Sequence, residues 1–180
     1  MGYALFAQKK LVLTGLINMV QMQQVQRSDE QMRLSTNTLS LQSRVTTLQQ
    51  SQSDSLAKLY EKLAGSYSDE DYKKLTEDKT SLTDAEFNEK YGFTKTEAAT
   101  QVYSRTSVND QINVKQKEYE SEINKINAQI QLTSIKENAI EMEVKRLDTK
   151  LTALQQQLEK VEEAEGKGIE KSTPKFSGLG

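Results

Sequence analysis

Residues 112–161 read INVKQKEYESEINKINAQIQLTSIKENAIEMEVKRLDTKLTALQQQLEKV, and their periodicity decides the fold. Ile112, Tyr119, Ile126, Thr133, Ile140, Leu147, Leu154 and Val161 follow one another at intervals of seven. Gln116, Ile123, Ile130, Glu137, Val144, Leu151 and Leu158 form a second series, four residues on. These are the d and a positions of a heptad repeat, and eleven of the fifteen are aliphatic. Such spacing puts one apolar seam along a helix and requires a partner helix to cover it. Neither proline nor glycine interrupts the chain from about 96 to 165.

The partner lies at the other end of the chain. Phe6, Leu13, Val20, Arg27, Leu34, Leu41, Leu48 and Ser55 form a d series; Lys10, Ile17, Gln24, Gln31, Thr38, Val45, Gln52 and Leu59 form the a series. Apolar residues dominate d while a is largely polar, so this seam is weak alone. Two helix-permissive stretches of roughly 60 residues, each about 90 Å long at 1.5 Å per residue, predict an antiparallel pair.

Between them, about 64–100, lie stop and start signals. Gly65 follows Leu63 and Ala64, where the first helix should end. Thr83 and Glu86 fit a capping box, and Tyr91-Gly92 closes the short helix it opens. Thr94 and Glu97 fit a second box, placed to open the long C-terminal helix. Tyr67, Tyr72, Leu75, Leu82, Phe87, Tyr91, Phe93 and Tyr103 are available for a small cluster. The expected organisation is therefore an all-α, long antiparallel helical hairpin (coiled coil) with a small helical cap at the turn end. Its parts are an N-terminal helix with an apolar head (1–63), a helical connector (64–100), a C-terminal heptad helix (101–165) and a flexible tail (166–180).

Register follows from arithmetic, since facing residues in an antiparallel pair have numbers of constant sum. A sum of 164 pairs Phe6 with Leu158, Leu13 with Leu151 and Val20 with Val144. It also gathers the polar seam residues into one layer, Arg27 with Glu137 and Gln31 with Thr133. A sum of 171 sets Leu34 against Glu137, and 157 sets Val20 against it. A buried unpaired charge costs several kcal/mol. The expected register is 164, fixed by the layer Arg27, Glu137, Gln31 and Thr133.

Composition narrows the function. The 180 residues include no cysteine and no histidine. That removes Ser-His and Cys-His nucleophile pairs, imidazole bases and the common zinc sites. No catalytic, cofactor-binding or metal-ligating set emerges, and no cofactor or small-molecule substrate is expected. The acidic runs Ser68-Asp69-Glu70-Asp71 and Glu162-Glu163-Ala164-Glu165 lack the spacing of a calcium loop and are read as solvated charge. Net charge is −2, distributed as +3 over 1–63, −3 over 64–106, −4 over 107–166 and +2 over 167–180. This argues against a nucleic-acid partner. The run from Leu11 to Val20 is far short of the ~20 residues of a membrane span. No signal peptide is read, which leaves the cytoplasm or export by a signal-independent route.

The remaining feature is the N-terminal head. Leu5, Val12, Leu16 and Met19 form a second apolar stripe away from the seam, with Gly15 beside it to admit another helix closely. This predicts an oligomer or partner interface at Leu5, Val12, Gly15, Leu16 and Met19. Lys171 to Phe176 is read as a disordered end or a short docking peptide. Terminal helices pairing around a central insert are shared, by analogy, with bacterial secretion-filament and flagellar subunits, phage structural proteins and secretion adaptors. The expectation is a non-enzymatic structural subunit that binds copies of itself, the alternative being an adaptor or chaperone that binds another helical protein.

Overall fold

The computed structural model of the chain describes residues 2–172. Five helices are found among them: α1 (Gly2–Ala64), α2 (Asp69–Ser81), α3 (Asp84–Tyr91), α4 (Lys95–Gln101) and α5 (Arg105–Ser172). No strand occurs among the described residues, although an isolated parallel bridge joins Tyr67 and Ser104. α1 and α5 pack against each other, so the fold is an all-α helical hairpin. Every d and a position named above on either helix is buried or half-buried, while the positions between them are largely exposed.

Two compact units divide the chain. The first joins residues up to Leu39 with those from Gln131 on. Its core is Ile17, Val20 and Leu154, with Leu13, Leu16, Leu147, Leu151 and Leu158 packed around them. This cluster can pair Ile17 with Leu154, Val20 with Leu151 and Leu13 with Leu158, at a sum of 171. Polar links agree. Lys10 bridges Glu162 at 2.9 Å (sum 172), Arg27 bridges Glu143 at 2.9 Å (sum 170), and Gln24 donates to Asp148 (sum 172).

The register expected at 164 is therefore off by one heptad. Arg27 and Glu137 do not meet: Arg27 engages Glu30 at 2.6 Å and Glu143, and Glu137 accepts a 3.5 Å hydrogen bond from the Thr38 hydroxyl. A sum of 171 is costly only if Glu137 is a fully buried charge. The seam of a two-helix pair is open on both sides, and Glu137 is only half-buried beside a hydroxyl donor. Its penalty is correspondingly small. A sum of 171 keeps Leu41 opposite an isoleucine, Ile130, and gives aliphatic partners to two residues that 164 sets against Tyr119 and Gln116: Val45 comes opposite Ile126 and Leu48 opposite Ile123. Thr133, which is buried, comes opposite Thr38 rather than Gln31.

The second unit comprises Ser40–Ile130. Leu41, Ile112 and Ile126 are buried along its α1–α5 seam, Val108 is buried near the start of α5, and the Ser55 and Tyr119 hydroxyls hydrogen-bond at 3.1 Å. α2, α3 and α4 surround a core of Leu75, Phe87, Ala98 and Val102, with Tyr67, Tyr72, Leu82, Tyr91 and Phe93 against it. Tyr103 is not among these; its ring lies under the Lys62 ammonium. Both capping boxes form, Thr83 with Glu86 and Thr94 with Glu97, and α3 ends at Gly92 with φ +78°.

Two boundaries differ from expectation. The second capping box opens only the short α4, and α5 begins afresh at Arg105. There the Ser104 hydroxyl accepts from the Ser107 amide, and Asp69 accepts from the Thr106 amide and hydroxyl. Backbone bonds from Tyr67 to Tyr103 and from Arg105 to Tyr67 secure the break. At the other end α5 continues through Gly166 and Gly168 to Ser172, past the start assigned to the tail at 166. Each glycine costs only about 1 kcal/mol relative to alanine, and Lys10 ties Glu162 and Glu165 of the preceding turn. Residues 173–180, including Pro174 and Phe176 of the suggested docking peptide, lie outside the described residues.

Candidate interaction surface

The beginning of α1 and the end of α5 form the base of the hairpin, in the first unit. Seam residues Leu13, Ile17 and Val20 are spent on α5. The next residues around α1 have no helix to cover them: Leu5 is 54% exposed, Leu11 75%, Val12 55% and Met19 48%. A groove of about 560 Å³ runs beside the seam here, lined by Leu5, Val12, Leu13 and Val161 and by the lysines Lys9 and Lys160. Leu16 is different. It is half-buried and packs into the Ile17–Val20–Leu154 core, so it is in part ordinary interior. Gly15 faces outward, and a methyl group added there would meet nothing within 4 Å.

Charge around the base is organised by pairs that are largely open to water. Glu162 and Glu165 beside the Lys10 ammonium raise its pKa, and Glu30 with Glu143 does the same for the Arg27 guanidinium. Exposed pairs of this kind contribute little to stability, so their effect is on local charge. Gln31 is half-buried at its expected seam position, without the layer it was to share.

Other exposed apolar residues carry a signal that the heptad reading passed over. Val25, Met32 and Leu39 recur at intervals of seven on the outer face of α1, and Leu132, Ile135 and Met142 follow helical spacing on α5. A second groove, of about 750 Å³, lies in the second unit among Ser55, Lys58, Leu59, Lys62, Ser107 and Lys115. The acidic run at 68–71 proves to be a helix start, with Ser68 as N-cap and Asp69, Glu70 and Asp71 in the first turn of α2, where acids complement the helix dipole.

Among the described residues no acidic cluster is placed to hold a metal ion, and no helix is long and apolar enough to cross a membrane. Comparison with protein-family models, with curated proteins and with solved structures finds no match.

Proposed function

We propose that this chain is a non-enzymatic structural subunit that associates with copies of itself through the base of the hairpin. One observation carries the reading: Leu5, Leu11, Val12 and Met19 remain about half or more exposed although the seam beside them is fully used. Burying a large aliphatic side chain contributes roughly 1.5–3 kcal/mol, so several together can outweigh the cost of association. Bacterial secretion assemblies and phage particles are the settings that the architecture favours, by analogy of form alone.

The test replaces Val12 and Met19 with Glu and measures mass by size-exclusion chromatography with light scattering. Oligomers formed by the wild-type chain should be lost, with circular dichroism unchanged because both positions lie outside the seam. Leu16→Glu should instead lower helicity or thermal stability, since Leu16 touches the core. Assembly that survives Val12→Glu/Met19→Glu would refute the base as the contact. A wild-type chain that is monomeric at every concentration would leave the adaptor reading in its place.

A further inference from the structure

We infer that the contact between copies is heterologous: one side of the first unit docks on the opposite side of the same unit in a second copy. This deepens the self-assembly reading and rests on it. In an antiparallel helix pair, the positions flanking the seam fall on two opposite sides, g and c of both helices on one, e and b on the other. The g/c side carries exposed Lys9, Arg146, Lys150 and Lys160 beside exposed Leu5, Val12 and Met19. Lys9 and Lys160 line the same groove as Leu5 and Val12, and Arg146 and Lys150 line another along α5 with Glu143. The acids on this side, Glu30 and Glu143, are both bridged by Arg27.

The e/b side has the opposite character. Asp148, Glu159 and Glu162 are exposed there, with Leu11 (75% exposed), Val25 (62%), Met32 (64%) and Leu39 (64%) as its large apolar residues. Gln24 donates to Asp148 and Lys10 bridges Glu162, links that reach α5 from α1 on this edge of the seam. The base Lys145 is bridged by Glu141. The first unit thus has a basic side and an acidic side, each with exposed aliphatic groups.

Self-complementarity selects the partner and the geometry. A two-fold contact of the basic side with itself would bring Lys9, Lys150 and Lys160 against like charges, and the acidic side has the same difficulty. Basic side on acidic side matches charge as well as apolar surface. The fitting occupant is a second copy of this chain. Such a contact leaves one side of each copy open, so growth continues beyond the dimer to a ring or a filament.

Charge reversal and mixing test this. One variant carries Lys150→Glu and Lys160→Glu; the other carries Asp148→Lys and Glu159→Lys. In 50 mM salt each alone should stay near monomer mass, with association at least tenfold weaker than wild type. An equimolar mixture should assemble again, because the acidic g/c side of the first now meets the basic e/b side of the second. Recovery on mixing also shows that both variants fold. Wild-type-like assembly of the Asp148→Lys/Glu159→Lys variant alone, or no recovery on mixing, would overturn the heterologous contact. If Val12→Glu/Met19→Glu abolished assembly while both charge variants assembled normally, the base reading would stand and this inference alone would fall. A wild-type chain that never associates would remove both.

Discussion

Asp78, Glu86 and Glu97 hold the short helices of the second unit through their charged forms. The Thr83 hydroxyl and amide beside Glu86, and the Thr94 amide and hydroxyl beside Glu97, depress both carboxyl pKa values. Lys90 and the Tyr91 hydroxyl do so for Asp78. A carboxyl with a depressed folded pKa contributes stability that is whole above its unfolded value and is lost as pH falls through the folded one. The order of α2–α4 should therefore weaken from about pH 4.3 downward, the ordinary range of glutamate. Tyrosine near-ultraviolet circular dichroism should record the change, and Glu86→Gln with Glu97→Gln should flatten it. An unaltered acid transition in that variant would show that the capping carboxylates contribute nothing. Gly15 allows another single-residue check. It sits in the interior of α1 with open space around its α-carbon, so Gly15→Ala should stabilise the chain by about 0.5–1 kcal/mol in urea unfolding. Lower stability would mean that the position is not open. Both capping boxes and the Gly92 stop were legible because each is a local hydrogen-bond pattern of four or five residues. The cap at Ser104 was not, because half of it comes from Asp69, distant in sequence.

Periodicity makes α1 and α5 plain in the sequence, whereas their register differs from expectation for a physical reason. Both 164 and 171 align several aliphatic layers, and the charge of Glu137 decides for 164 only if a two-helix seam is as dry as a globular core. The helix ends argue the same way. Ala64 closes α1 and Arg105 opens α5, residues whose numbers sum to 169. At 164, Ala64 would face position 100, which belongs to α4. Since α5 was expected to start near 101, that constraint was out of reach until the second break was known. Leu41→Cys with Ile130→Cys, in this cysteine-free chain, should crosslink rapidly within one monomer. Leu41→Cys with Ile123→Cys, the pair that 164 would favour, should crosslink much more slowly. The reverse order would favour the register at 164, and links formed only between chains would contradict the hairpin.

For the molecule as a whole, the exposed residues carry what remains to be explained. The stripe at Leu5, Val12 and Met19 was legible as apolar residues out of phase with the seam. That Leu16 turns partly inward was not, because its heptad position lies at the margin where neighbouring packing decides. The opposed charge of the two sides was also hidden. Lys9 and Lys160, which line one groove, become neighbours only when the register is known. If these sides serve association between copies, mass must depend on concentration. Sedimentation equilibrium of the wild-type chain from micromolar to millimolar concentration in 50 mM salt should give a weight-average mass that climbs from the 20.4 kDa of one chain past that of a dimer. The rise should diminish in 500 mM salt, where charges are screened within about 5 Å. A constant 20.4 kDa throughout would contradict the account.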